Sequence, residues 1–502
     1  MLKEIMGIVQ KDAFRTMIAS YLGVGLGYLN KAVLFILILS TEQIGLVNLI
    51  VSVGTLFAQF ANLGTFYTTW KFTPFFKDHE KKHHGFLPLM LLIVSIGSIL
   101  FTVLAFVFRE QIEDLYRERS SLFVEYYVWM IPIGLAYVFF MVFEVYLRSF
   151  FKNIISVVAY EIVLRLIVTL LLGLLWYDLI GFDLFVILHS LVYFIPTFIL
   201  VIYLYRLDEL NLSIRSIRIS KRFQKILIRF SMINYINTLG YVLVTSLDIL
   251  MVAQMIGLKA TGVYSTMVFF AGAIQVPYKS MHRVSVPLVA EHWKQREMDK
   301  MEILYKKFSS VSLFIGFGFF LLIWLNIQPL FSFLPNDFEE GIWVFFYLMM
   351  GKLVDMYCGL NGSILVTSKK YSYDVYFTLL LIGVVFILNL FLIPDYGAIG
   401  AAISTLIAMI IYNVVRIIFV AYHFRLYPFT KEQFYVIALG ILTMVIGYYT
   451  LDLSDNRLIQ LIIQTAVTVL CFFTPIYVFT LEPESVGYIK NGLNFVKKKL
   501  GV

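Results

Sequence analysis

Fourteen apolar runs, each long enough to cross a bilayer as an α-helix, follow one another along this sequence with little between them. A hydrocarbon core about 30 Å thick is spanned by roughly 20 helical residues. The runs lie at approximately 16–40, 46–69, 86–108, 124–147, 154–177, 182–205, 228–256, 261–287, 308–330, 341–366, 372–393, 398–423, 433–451 and 458–481. Hydrophobic residues make up 60% of the 502 and charged residues 14%, against about 25% charged in a soluble domain. A chain so apolar cannot build a surface for water, so the expected fold is an all-α polytopic membrane protein. The connections leave no room for a soluble domain. The first run is long and polar-speckled with no small-residue cleavage site after it, which does not read as a signal peptide. Cys358 and Cys471 both sit inside apolar runs, offering neither a disulfide framework nor a metal cluster.

In such a chain the net charge of +8 is a signal of topology, not of nucleic-acid binding. Of 40 Lys and Arg, 28 lie at the N-terminus, in alternate connections and in the C-terminal tail. Arg109, Arg117, Arg119, Lys259 and Arg457 are the five in the opposite connections. The positive-inside rule therefore places both termini in the cytoplasm and requires an even number of spans.

Three landmarks recur at nearly one offset. Gly45, in the turn Leu39-Ser-Thr-Glu-Gln-Ile-Gly45, matches Gly262, in Ile256-Gly-Leu-Lys-Ala-Thr-Gly262, 217 positions on. Pro74 after run two matches Pro287 after run eight, and the tight turn at Gly181 matches that at Gly397. Six runs separate the equivalents, so the two halves share an orientation and an axis along the membrane normal. The expected division is a six-helix lobe at 1–210, a second at 211–430, and two accessory helices with a basic tail at 431–502.

Polar residues form stripes inside the apolar runs. Run two carries Asn48, Ser52, Thr55, Gln59 and Asn62; run seven carries Ser231, Asn234, Thr238, Tyr241, Thr245 and Asp248. Spacings of three and four put each set on one helical face. Such a stripe either lines a wet path or glues helices together. Run one adds Tyr21, Tyr28 and Lys31; run eight adds Gln275, Lys279, His282 and Arg283. Lys31 lies deep in its run, where a lone ammonium costs roughly 3 kcal/mol. Lys279 and Arg283 suit an anionic ligand, or snorkel to headgroups. The striped helices are equivalent pairs in the two halves, as expected of a cleft between repeats. The candidate substrate-binding residues are therefore Lys31, Lys279, Arg283, Gln59, Asn62, Asn234, Tyr28 and Gln275. Asp248 is the candidate for binding H⁺ or Na⁺, or else a hydrated helix end. Glu161 with Arg165, Glu144 with Arg148, and Lys352 with Asp355 read as structural ion pairs. No P-loop, H-E-x-x-H or G-x-S-x-G occurs, and His79, His83 and His84 fall in a solvated basic loop. No enzyme activity, cofactor or metal is expected.

Several segments together resemble one family. They include Gly27-Tyr-Leu-Asn-Lys31, the turn ending at Gly45, Phe72-Thr-Pro74, and Asp248 followed by Gly257, Gly262 and Tyr264. Pro287 and Pro394-Asp-Tyr-Gly397-Ala-Ile-Gly400-Ala-Ala-Ile-Ser-Thr405 continue the pattern. With fourteen runs, the chain resembles the Wzx-type polysaccharide flippases of the MATE-like superfamily, which export lipid-linked O-antigen and capsule units. The resemblance implies two six-helix bundles, alternating access, and a polyprenyl-diphosphate-linked glycan as substrate in a bacterial or archaeal plasma membrane. With no nucleotide site, transport is expected to draw on an H⁺ or Na⁺ gradient, on the membrane potential, or on consumption of product outside. Polysaccharide polymerase or assembly proteins and membrane lipids are the implied partners of a monomer. The alternatives are a cation-coupled multidrug exporter, a lipid II flippase, and a membrane glycosyltransferase or ligase. The last needs a sizeable outer loop that this chain lacks.

Overall fold

The computed structural model describes residues 2–76, 78, 82–150, 152–213, 217, 220–450, 453–454, 456–487 and 490. The side chains of 2–14, 82, 221, 233, 234, 237, 238 and 241 also lie outside the description. Among the described residues there is no strand. Among the described residues eleven helices are long and apolar enough to cross a membrane. Six come first: α1 (Arg15–Ile38), α2 (Thr41–Asn62), α3 (His83–Val107), α4 (Ser121–Arg148), α5 (Asn153–Trp176) and α6 (Phe182–Arg206). Next are α7 (Lys221–Met255), α8 (Leu258–Ala271) and α9 (Gln275–Gln295). The last five are α10 (Met298–Trp324), α11 (Gly341–Cys358), α12 (Tyr373–Phe424), α13 (Lys431–Tyr449) and α14 (Arg457–Val478).

The count of eleven differs from the expected fourteen at two places. Runs seven and eight do form helices: the described apolar stretch of α7 is Val242–Met255, and run eight is divided between the 14-residue α8 and the more polar α9. Runs eleven and twelve fall within the 52 residues of α12. A straight helix of that length would reach about 78 Å, far more than a bilayer. Gly397 interrupts it in a left-handed conformation, φ 58° and ψ −138°, three residues after Pro394. Beyond the turn Gly400 returns against the Leu392 carbonyl, so α12 is a hairpin of two arms.

Local chemistry sets several of the ends. Ser40 and Gln43 form a capping box at the start of α2, and Thr430 and Gln433 form another at α13. Leu63 and Gly64, both at positive φ, end α2 and redirect the chain into the helix Thr65–Phe76.

The chain divides into two compact units, Met1–Thr266 and Met267–Val502. This boundary lies beyond the expected one at 210/211. The reason is visible in α7, which packs within the first unit: Tyr235 donates to the Phe60 carbonyl at 2.9 Å, and Phe223 and Phe230 meet Phe72 edge-on. In the second unit α13 and α14 pack on α10. The Phe472 ring lies 5.8 Å from Phe314 and 6.0 Å from Phe317, while Gly440 and Gly447 admit Phe317 and Leu325.

Candidate functional site

In the first unit the site is built around Lys31. A π-helical turn at Leu29–Leu34 interrupts α1 and carries the lysine; such bulges are frequent at functional sites. Its Nζ donates to Asn48 Oδ1 on α2 at 3.1 Å, and Asn48 Nδ2 donates to Ser265 Oγ on α8 at 3.0 Å. Asn48 is buried whereas Lys31 is exposed, so the ammonium of an exposed residue is tethered to a buried amide. Tyr28, one turn before, is half-buried.

The Asn48–Ser265 bond belongs to a close crossing of α2 and α8. Gly45 lies against the Leu258 carbonyl, and Gly262 lies against the Thr41 carbonyl. Thr41 with Leu258, Gly45 with Gly262 and Asn48 with Ser265 are each 217 residues apart. Residues matched along the sequence thus meet reciprocally across one two-fold crossing. Asp248 stands nearby in sequence but is no hydrated helix end: it is buried, and Tyr264 donates to its Oδ2 at 2.7 Å.

Other stripe residues have packing partners. Gln59 donates to Met141 Sδ at 3.7 Å, and Asn62 accepts from Thr65 Oγ1 and from the Phe66 amide, fastening the bend after α2. Ser231 meets Thr68 Oγ1 at 2.5 Å. The side chains of Asn234, Thr238 and Tyr241 lie outside the described residues.

In the second unit Gln275 is buried and donates to Asp355 Oδ2 at 3.2 Å; His282 meets Ser363 Oγ at 2.8 Å. Lys279 and Arg283 are exposed on the same helix, α9, and among the described residues neither has an ion-pair partner. Of the structural pairs, Glu144–Arg148 and Glu161–Arg165 form. The pair expected between Lys352 and Asp355 is not among the bridges of the described residues, since Asp355 faces Gln275 instead. His83 is not solvated: it is buried and pairs with Glu209 at 2.5 Å, while His79 lies outside the described residues. Sequence reasoning missed the half-buried Arg416–Asp374 pair, whose members belong to the two arms of α12, and it missed the Asn361–Asn413 bond at 3.0 Å. No group of His, Cys, Asp and Glu that could hold a metal occurs among the described residues.

Comparisons with known proteins follow this geometry. The structure superposes on the lipid II flippase MurJ, in an inward closed conformation, with a TM-score of 0.73 at 16% identity, covering 92% of this chain and 98% of that one. It superposes on an inward-facing multidrug resistance MATE transporter of the MOP superfamily with a TM-score of 0.65 at 14% identity, covering 80% and 94%. At such identities the likeness shows the fold alone. No curated protein sequence matches this one. Residues 9–293 match the family model described as polysaccharide biosynthesis protein, more than half of the sequence. The chain is a member of the polysaccharide biosynthesis protein family.

Proposed function

We propose that this chain is a flippase that carries a polyprenyl-diphosphate-linked oligosaccharide from the inner to the outer leaflet by alternating access. The observation that carries the reading is the pair Lys279 and Arg283, exposed on α9 with no ion-pair partner among the described residues. Like charges four residues apart on one helix repel each other, an unfavourable contact that an anionic headgroup relieves when it binds. Within the first unit the tethered Lys31 offers a cation of its own to a headgroup of the same kind. A diphosphate matches such point charges and bidentate arginine, while uncharged sugars are held by polar side chains. The MurJ likeness favours one second reading, a lipid II flippase, which shares the logic of an anionic headgroup on a lipid tail.

The protein acts in this reading as a monomer in a bacterial or archaeal plasma membrane, with both termini cytoplasmic. It passes its cargo to polymerase or assembly proteins and draws on an H⁺ or Na⁺ gradient or on the membrane potential. No bond of the cargo is made or broken.

The test is transbilayer movement of fluorescent polyprenyl-diphosphate oligosaccharide in proteoliposomes, read with an impermeant quencher. Wild type should expose the probe to the quencher, and Lys279→Ala with Arg283→Ala should slow this at least about tenfold, the equivalent of ~1.4 kcal/mol. Wild-type speed in the folded double variant would mean that these cations only snorkel to lipid, and it would remove the diphosphate assignment. Lipid II moved in preference to the oligosaccharide would select the second reading.

A further inference from the structure

Three hydrogen bonds join α9 to the end of α11 and to the short helix Asn361–Thr367 that follows it. Gln275 Nε2 donates to Asp355 Oδ2 at 3.2 Å, the Tyr278 hydroxyl donates to the Gly359 carbonyl at 3.1 Å, and His282 meets Ser363 Oγ at 2.8 Å. The partners are 80, 81 and 81 residues apart, so the two segments run side by side in one register and the bonds are rungs of a polar seam. Gly359, at φ 67°, ends α11 and leaves its carbonyl to Tyr278. The Tyr278 and His282 rings stack with centroids 5.7 Å apart, and buried Phe308 of α10 packs edge-on against both. The seam is therefore held from one side by apolar packing.

It carries one uncompensated charge. Among the described residues Asp355 has no ion-pair partner. Arg416 on α12 acts on it electrostatically, but that guanidinium is already bonded to Asp374. Arg416 and Asp374 cancel, which leaves half-buried Asp355 as a net negative charge. The Gln275 amide holds one carboxylate oxygen, and the other has no partner among the described residues. A carboxylate oriented in this way accepts hydroxyl donors, and such charge-assisted bonds are about twice as strong as neutral ones. Lys279 follows Gln275 by one helical turn, about 6 Å along α9, and Arg283 follows one turn later.

We propose that Asp355 and Gln275 form the subsite for the sugar bonded to the diphosphate, and that Asp355 restricts this sugar to uncharged and amino sugars. The proposal rests on the reading that Lys279 and Arg283 hold the diphosphate. With phosphates on those cations, the attached sugar lies one turn along α9 and its hydroxyls donate to Asp355. A uronic acid in the same place brings a second carboxylate against the first, where neither bulk water nor salt screens the pair. Such like-charge contacts are how a site rejects a wrong ligand. An amino sugar, with an ammonium or an amide N–H, meets no such penalty and adds a donor.

Two cargoes test this. They share one fluorescent polyprenyl diphosphate and one outer glycan, and differ only in whether glucose or glucuronic acid is bonded to the diphosphate. Equilibrium binding to the detergent-purified full chain should favour the glucose cargo at least about tenfold. Flipping in proteoliposomes held without a membrane potential should show the same order. Asp355→Asn keeps an oxygen for the Gln275 amide and removes the charge, so it should bring the two affinities within about twofold. Wild-type protein that binds both cargoes equally would overturn the proposal without any variant, as would Asp355→Asn with the full wild-type preference. Preferential binding by a protein that flips neither cargo would keep the subsite and count against the flippase reading alone. Binding of neither cargo would overturn both.

Discussion

The α2–α8 crossing allows a sharp test of packing. An alanine at Gly45 would place its Cβ against the Leu258 carbonyl oxygen and 2.9 Å from the Gly262 amide nitrogen. Comfortable separations for such atoms are about 3.5 Å or more, and the obstacles are backbone, so no side chain can yield. The helices must part by roughly 1 Å, which overpacking data place at about 1–3 kcal/mol. Parting also lengthens the 3.0 Å Asn48–Ser265 bond beyond useful range, a further loss of ~1 kcal/mol. Gly45→Ala should therefore cost about 2–4 kcal/mol in all. Gly262→Ala meets the mirror-image obstacles, the Thr41 carbonyl carbon at 3.0 Å and the Gly45 amide at 3.2 Å, and should cost the same. Since the first alanine already opens the crossing, the double variant should fall short of the sum by ~1 kcal/mol or more. Gly25→Ala is the control: nothing lies within 4 Å of its Cβ position, so alanine there should gain about 0.5–1 kcal/mol from backbone entropy. The assay is reversible unfolding of the purified protein in detergent. Gly45→Ala as stable as Gly25→Ala, or strict additivity of the pair, would refute the reasoning.

Lys31→Ala should abolish flipping while the protein stays folded, because the lysine side chain is exposed and its bond to Asn48 leaves the Asn48–Ser265 bond in place; flipping at the wild-type rate would remove Lys31 from the pathway. Asp248→Asn keeps a side-chain oxygen for the Tyr264 hydroxyl, so it should leave both the ion and the voltage dependence of flipping unchanged; loss of the ion dependence alone would move coupling to Asp248. Phe472→Ala removes a fully buried ring between α14 and α10 and should cost about 3–5 kcal/mol of stability, yet the flipping rate per folded molecule should hold. A lower rate per molecule would place the two C-terminal helices in the transport path.

What the sequence reveals here is what local physics determines. Length and apolarity place α4 at Ser121–Arg148 where 124–147 was expected, because hydrocarbon thickness sets both. Pairs four apart, Glu144–Arg148 and Glu161–Arg165, form as spacing predicts. The 217-residue offset is a local pattern twice written, and its members meet. Periodicity gives the direction a side chain faces, however, and not what it faces. Gln59 and Asn62 lie on the striped face of α2, yet one ends against Met141 and the other fastens the bend at Leu63. Asp355 satisfies the spacing for Lys352 but is taken by Gln275 from another helix. The π-helical turn under Lys31 leaves no mark in composition, since it arises where α1 rides over Arg165 and Asn30 bonds across to α5. Glu144 and Glu161 each look complete beside their own arginine; only the approach of α4 to α5 makes them walls of one cavity. The residues that a span can afford to charge are thus visible one helix at a time, while the work they do is decided where two helices bring such residues together.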